Sequence, residues 1–238
     1  TLVMFLSDNG GCAEFMAEDS DRPRPSQYTT PTPDGRAIRV GNSPEFSPGA
    51  ADTFMSYDLP WANASNTPFR RFKRWTHEGG ISTPFIMSWP ARIARPGVVH
   101  EPVHLIDVAP TCLDAANARY PSEMNGTQTT PLEGESLLPV VENPRWGREQ
   151  PIFWEHEGSR AVRMGQWKLV AEIGGDWELY DMSQDRTELR DLAGREQART
   201  RELARLYDEW AERCGVLPWS EVNPSWGPRL GGRSAHIS

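Results

Sequence analysis

The sequence predicts an α/β fold, a mixed sheet flanked by helices, followed by a small α+β subdomain with a four-stranded antiparallel sheet. Two short apolar runs, residues 2–6 and 85–89, predict buried strands in the first part. Four short runs between residues 152 and 180, separated by glycines, predict an antiparallel meander in the second. A long amphipathic pattern over residues 195–213 predicts a helix that covers one face of this meander.

The first strand is a wholly apolar run over residues 2–6 that stops at a polar turn, Ser7-Asp8-Asn9-Gly10-Gly11. This pattern is typical of a strand buried on both faces, as in a parallel sheet, with the turn at the edge where ligands bind. Residues 12–68 lack periodicity, but their aromatic side chains need packing partners. We therefore expect a long ordered excursion before the second strand at 85–89.

The next helix is predicted within residues 104–118, starting near Asp107 or Ala109. Its apolar positions, spaced by three and four, are Leu105, Val108, Cys112, Leu113 and Ala116. A short helix is expected around residues 136–141. The meander strands are expected at residues 152–157, 160–164, 167–172 and 177–180, and Gly215 is expected to end the last helix.

These patterns divide the chain into three regions. Residues 1–148 form the first part, residues 149–216 the sheet-and-helix subdomain, and residues 217–238 an irregular tail. Because residues 1–6 contain neither an initiator methionine nor a basic signal region, we expect the chain to begin within a domain.

Composition excludes several function classes. Lys plus Arg total 25 against 33 Asp plus Glu, a net charge of −8, so nucleic acid is not an expected partner. No apolar run reaches the roughly 18 residues of a membrane span. The three cysteines, Cys12, Cys112 and Cys214, lack the spacing of a zinc or redox site.

Asp8 and Asn9 are the first candidate functional residues. A carboxylate and an adjacent amide oxygen suit Ca²⁺ or Mg²⁺, and Gly10-Gly11 lets the backbone turn away from a bound ion. An Asx turn capped by glycine explains the same residues without a ligand. From these residues alone the turn is the better interpretation.

Lys73 is the second candidate, because a lysine is a flexible point charge suited to an anionic oxygen. Taken alone, a solvated surface lysine remains the simpler interpretation. For His77 a packed loop histidine is preferred to a catalytic role, and Glu78 is expected to accept backbone N–H bonds. Arg70, Arg71 and Arg74 flank Lys73, and we expect at least two of them to be solvated.

Four motifs occur together in a fixed order. They are FLSDNGG, then K-x-x-x-x-E-G-G-x-x-x-P-x-x-x-x-W-P, then H-x-x-D-x-x-P-T-x-L-x-x-A, then W-K-L-V with W-E-L-Y-D-M-x-x-D-x-x-E-x-x-D-L-A. In this combination the chain resembles the C-terminal part of the type I sulfatases, and more closely the bacterial arylsulfatases. The resemblance implies an alkaline phosphatase-like fold, sulfate ester hydrolysis, and a periplasmic or extracellular location rather than a cytoplasmic one.

The resemblance also implies residue roles. Asp8 and Asn9 match one pair of ligands of a Ca²⁺, replaced by Mg²⁺ in some members. Lys73 matches the lysine that binds the sulfate oxygens and steadies the leaving group, and His77 is a weaker substrate-binding candidate. The segment 78–80 matches the loop that positions the lysine. The expected partners are a sulfate ester and the remainder of the sulfatase domain.

One expected component is absent from the sequence. The family's nucleophile is a formylglycine made from the cysteine of C-x-P-x-R or C-x-A-x-R, and none of the three cysteines has that context. We therefore expect a truncated chain that is inactive alone but belongs to an active enzyme. A phosphoester or phosphonate hydrolase of the same superfamily, or a non-catalytic sulfatase-like domain, remains an alternative.

Overall fold

The computed structural model describes residues 1–15, 30–93, 96–143 and 146–223. The part of the predicted tail beyond residue 223 lies outside these ranges, as does a segment of the excursion at residues 16–29. The described residues form ten strands and six α-helices.

The first apolar run forms strand β1 (Val3–Leu6), which pairs with β4 (Phe85–Ser88). Both strands were predicted, but the expected parallel pairing with burial on both faces is wrong. The two strands are antiparallel, and Val3, Phe5 and Ile86 are 55%, 65% and 58% exposed. An apolar run indicates that a strand is compatible with burial. It carries no information about which partner the strand meets or which elements cover it.

Between these strands the chain forms a short parallel pair, β2 (Arg39–Val40) with β3 (Thr53–Phe54), followed by helix α1 (Asp58–Asn66). Helix α2 (Glu78–Ile81) is a single turn that leads into β4. Helices α1 and α2 contact the turn after β1 at the candidate site.

The helix predicted after β4 is present as a 3₁₀ turn, Leu105–Asp107, and helix α3 (Val108–Ala115). Its orientation differs from the expected one, because Asp107 and Thr111 are buried whereas Leu105 and Cys112 are exposed. Hydrogen bonds explain the difference. The Asp107 carboxylate accepts the backbone N–H groups of His104 (2.7 Å) and Glu135 (2.9 Å) and pairs with the Arg148 guanidinium.

A hairpin, β5 (Glu123–Met124) with β6 (Thr127–Gln128), and the short helix α4 (Leu138–Glu142) lead to the meander. The four predicted meander strands are all present. They are β7 (Ile152–His156), β8 (Ser159–Met164), β9 (Trp167–Ala171) and β10 (Glu178–Asp181), paired in that order.

Helix α5 (Gln197–Cys214) covers one face of the meander, as predicted, and ends at Gly215 with φ +69°. The core between them consists of five buried residues, Val162, Leu169, Leu179, Leu203 and Tyr207. A final turn, α6 (Trp219–Val222), ends the described chain. None of the helices described is long and apolar enough to cross a bilayer.

The opposite face of the meander is mixed and includes ionisable residues. Lys168 lies opposite Tyr180 in the β9–β10 register, and Glu178 lies two residues before Tyr180 on the same face. Lys168 is fully buried. This face contacts the segment that contains Lys73, and its buried charges therefore belong to the description of the site.

Candidate functional site

The turn after β1 and the Lys73 segment, which are more than 60 residues apart in the sequence, lie against each other. The Gly10 N–H donates to the Gly80 carbonyl (2.9 Å), and the Lys73 N–H donates to the Gly11 carbonyl (3.0 Å). The Asn66 side chain of α1 connects the two segments by accepting the Gly11 N–H (3.0 Å) and donating to the Arg71 carbonyl (3.1 Å). The two motifs singled out in the sequence therefore form one site.

Glycines permit this contact. A Cβ on Gly10 would lie 1.8 Å from the Gly79 carbonyl oxygen, and a Cβ on Gly79 would lie 2.1 Å from that of Arg71. Both distances are far below van der Waals contact, so no residue with a side chain fits at either position without moving the backbone. Close packing of the two backbones therefore explains why both motifs contain glycine at these positions.

Asp8 and Asn9 present oxygen atoms at this turn. Asp8 is exposed, and its carboxylate has no hydrogen bond or ion pair with a described residue. Asn9 donates its Nδ2 to the Gly10 carbonyl (2.9 Å), which leaves its Oδ1 without a partner in the described chain. Both are hard oxygen donors, so their chemistry fits Ca²⁺ or Mg²⁺. No group of three or more metal-binding side chains occurs within the described ranges, so these residues supply only part of a coordination shell.

Lys73 differs from the arginines around it. Its side chain is half-buried and makes no hydrogen bond or ion pair with any described residue. Each neighbouring arginine pairs with a glutamate of the meander region: Arg70 with Glu178, Arg71 with Glu172 and Arg74 with Glu157. Arg71 and Arg74 are 36% and 55% exposed, so they are partly solvated as expected, but the long-range partners of all three arginines could not be seen in the local sequence. Lys73 is therefore the cation of this segment whose charge stays available for an external anion.

Glu78 connects the site to the meander. Lys168 Nζ lies 2.9 Å from Glu78 Oε1 and 2.7 Å from Glu188 Oε1, and all three side chains are nearly or completely buried. Arg186 reaches the other Glu78 oxygen at 3.3 Å. Burial alone would raise the pKa of Glu78, but the charge and hydrogen bond of Lys168 outweigh it and lower that pKa. The expectation that Glu78 accepts backbone N–H bonds is wrong: its partners are cations.

His77 is completely buried, and its Nε2 lies 3.3 Å from Glu178 Oε2. The Tyr180 hydroxyl donates to the same oxygen, and Arg70 Nη1 lies 2.9 Å from that hydroxyl. Sequence reasoning placed His77 near the substrate as a weak candidate, and this role stays a prediction. In the structure the imidazole ring contacts Glu178 of the meander.

The hydrogen bond from His77, with smaller contributions from Tyr180 and Arg70, lowers the pKa of Glu178 to about 2 although burial acts in the opposite direction. The ordinary value is 4.5. Because the unfolded chain takes up the proton first, this residue stabilises the fold above pH 4.5, and its contribution is lost as the pH falls towards 2.

Urea unfolding between pH 7 and pH 2.5 should therefore show that the free energy of unfolding falls less steeply with pH for Glu178→Gln than for the unmodified protein. Equal slopes would contradict this assignment.

Sequence reasoning missed Lys168, Glu178 and Glu188. Each falls within a motif that was recognised, W-K-L-V or W-E-L-Y-D-M-x-x-D-x-x-E, but nothing local distinguishes a buried charge from an exposed one. The one local feature that could have indicated a buried lysine is the position of Lys168 among large apolar residues, Trp167, Leu169 and Val170.

Comparison with known proteins identifies relatives along most of the chain. Residues 1–118 match the family model described as Sulfatase, and residues 69–210 match the model described as N-sulphoglucosamine sulphohydrolase, C-terminal. An uncharacterized sulfatase of Schizosaccharomyces pombe is 31% identical over 81% of this chain and 34% of its own length. The arylsulfatase of Klebsiella aerogenes is 32% identical over 59% of this chain and 28% of its length. The chain thus spans about a third of the length of these relatives.

Solved structures share the fold. Ps i-CgsB in complex with k-i-k-neocarrahexaose superposes with a TM-score of 0.56 at 22% identity, covering 88% of this chain and 36% of that one. A protein from a glycosaminoglycan locus of Bacteroides thetaiotaomicron gives a TM-score of 0.54 at 22% identity, covering 87% and 38%. At these identities the likeness extends to the fold alone.

Proposed function

Since this chain belongs to the sulfatase family, which has an alkaline phosphatase-like fold, we propose that the protein hydrolyses sulfate esters. In this proposal Asp8 and Asn9 are ligands of a divalent cation, and Lys73 binds the sulfate group. The observation that carries it is the backbone contact between the two segments. This contact places the segment of Lys73, whose ammonium group has no partner in the described chain, against the turn that contains Asp8 and Asn9.

The charges of the site suit this chemistry. A sulfate monoester carries one negative charge, and negative charge builds up on the leaving oxygen as the S–O bond breaks. Lys73 can donate hydrogen bonds to these oxygens, and the surrounding arginines do not compete because glutamates already pair with them. A Ca²⁺, or a Mg²⁺, bound by Asp8 and Asn9 would add positive charge next to the sulfate.

The nucleophile is not assigned to this chain. Formylglycine supplies the attacking oxygen in this family, and none of Cys12, Cys112 and Cys214 stands in the required sequence context. We propose that it comes from a further part of the protein, which agrees with the greater length of the relatives, of which this chain covers 34% and 28%.

Steady-state kinetics tests the proposal against its alternatives. The full-length protein should hydrolyse an activated aryl sulfate with a kcat/KM at least about tenfold above that for the matching aryl phosphate, because one lysine and one divalent cation suit a singly charged ester. A preference for the phosphate would favour the phosphoesterase alternative. Turnover of neither ester by a protein carrying formylglycine would favour a non-catalytic domain.

Metal binding by the 238-residue chain should be weak. Ca²⁺ takes about six to eight oxygen ligands, and this chain offers two side chains for it within the described residues. Calorimetric titration should therefore give no binding tighter than about 1 µM. Sub-micromolar affinity that Asp8→Ala abolishes would contradict the proposal that further ligands come from elsewhere.

A further inference from the structure

The backbone around Lys73 adopts an unusual conformation. Arg71 has φ +67° and Arg74 has φ +94°, so two non-glycine residues in the left-handed region bracket Lys73. Such conformations are strained for residues with a Cβ, and they persist only where neighbouring contacts enforce them. The segment from Arg71 to Arg74 is therefore held by contacts with other parts of the chain, which include the hydrogen bonds of the Arg71 carbonyl to Asn66 and of the Lys73 N–H to Gly11.

Two ion pairs supply contacts at these same residues. Arg71 Nη2 binds Glu172, which directly follows β9, and both Nε (2.8 Å) and Nη2 of Arg74 bind one oxygen of Glu157 in the β7–β8 turn. We call these the flanking pairs. They reach two different loops of the meander, so they add one contact on each side of Lys73.

We propose that Glu157 and Glu172 are positioning residues that hold the strained turn presenting Lys73 to the sulfate group. This inference rests on the proposed role of Lys73. The side chains of the flanking pairs are between 33% and 55% exposed. Since exposed ion pairs contribute little to global stability, we expect these two pairs to have little effect on the free energy of unfolding. Their effect should appear in the geometry of the turn.

The test uses Glu157→Gln, Glu172→Gln and their combination in the full-length protein, each with and without Lys73→Ala. Glu209→Gln is the matched control, because Glu209 forms an exposed Arg–Glu pair with Arg205 on α5, on the other face of the meander. All variants should unfold at nearly the same temperature as the unmodified protein.

Two readouts are expected to change together. In the double variant, the Lys73 amide, which bonds to the Gly11 carbonyl, should exchange with deuterium about tenfold faster. The kcat for an activated aryl sulfate should fall about fivefold in each single variant and about 25-fold in the double variant, because a small displacement of a catalytic group is costly. In the Lys73→Ala background the same substitutions should change kcat less than about twofold.

The outcomes separate this inference from the function on which it rests. Unchanged exchange at Lys73, or equal losses of kcat with and without Lys73→Ala, would overturn the positioning role while leaving the proposed function intact. Faster exchange in a protein whose Lys73→Ala variant keeps full activity would overturn the catalytic role of Lys73, and the positioning proposal with it. Effects of similar size in Glu209→Gln would also overturn the inference.

Discussion

Replacing Lys73 with alanine in the full-length protein is expected to lower kcat for an activated aryl sulfate about 10²- to 10³-fold, or about 3 to 4 kcal/mol. The reason is that the ammonium group would contact the sulfate oxygens more strongly as charge moves to the leaving oxygen, so its loss affects the transition state more than the bound substrate. No described residue offers a second unpaired cation in this segment that could replace it.

Two further variants sharpen this result. Lys73→Arg should recover only part of the activity, because a planar guanidinium cannot reproduce a compact charge. His77→Ala should have a much milder effect on kcat, since its ring is buried against Glu178. Near-normal kcat for Lys73→Ala, or a larger loss for His77→Ala, would show that the segment has been assigned wrongly.

Replacing Lys168 with methionine is expected to destabilise the protein by about 3–5 kcal/mol. The lysine is fully buried between Glu78 and Glu188, so its removal leaves two buried carboxylates with less compensation. Glu78 keeps a contact with Arg186, whereas the Glu188 carboxylate keeps, among the described residues, one hydrogen bond from the Glu78 N–H (2.9 Å) and the more distant charges of Arg70 and Arg163. Urea unfolding at neutral pH measures the loss.

A second substitution and a control test the cause. Adding Glu188→Gln to Lys168→Met should recover part of the stability, because it removes the least compensated charge. Arg205→Met, which breaks an exposed pair with Glu209, should cost less than about 1 kcal/mol. An equal loss in Lys168→Met and Arg205→Met would contradict the assignment of the buried network.

The elements of the meander were predictable because local signals define them. Glycines separate its strands, the helix after it carries an apolar stripe, and Gly215 adopts the left-handed conformation that ends such a helix. The strand pairing of β1 was not predictable, since an apolar run is compatible with either direction of pairing. The inward face of α3 was also missed, because hydrogen bonds of Asp107 to residues 28 and 41 positions away decide it.

In the candidate site, too, features set by the local sequence were predicted and features set by distant contacts were not. The motif order predicted that the segments of Asp8, Asn9 and Lys73 lie together, and the glycines that permit their close approach are part of the same motifs. The ion pairs that surround Lys73 could not be predicted. Arg71 and Arg74 pair with glutamates 101 and 83 residues away, and the local sequence of a charged residue does not specify a partner at that distance.

A crystal structure of the full-length protein with Ca²⁺ and inorganic sulfate tests the composition of the site most directly. We predict a cation with Asp8 and Asn9 oxygens at about 2.3–2.6 Å. We also predict Lys73 Nζ at about 2.7–2.9 Å from a sulfate oxygen. A cation and a sulfate bound away from the turn after β1, with Lys73 pointing into solvent or paired with a protein carboxylate, would contradict the proposal.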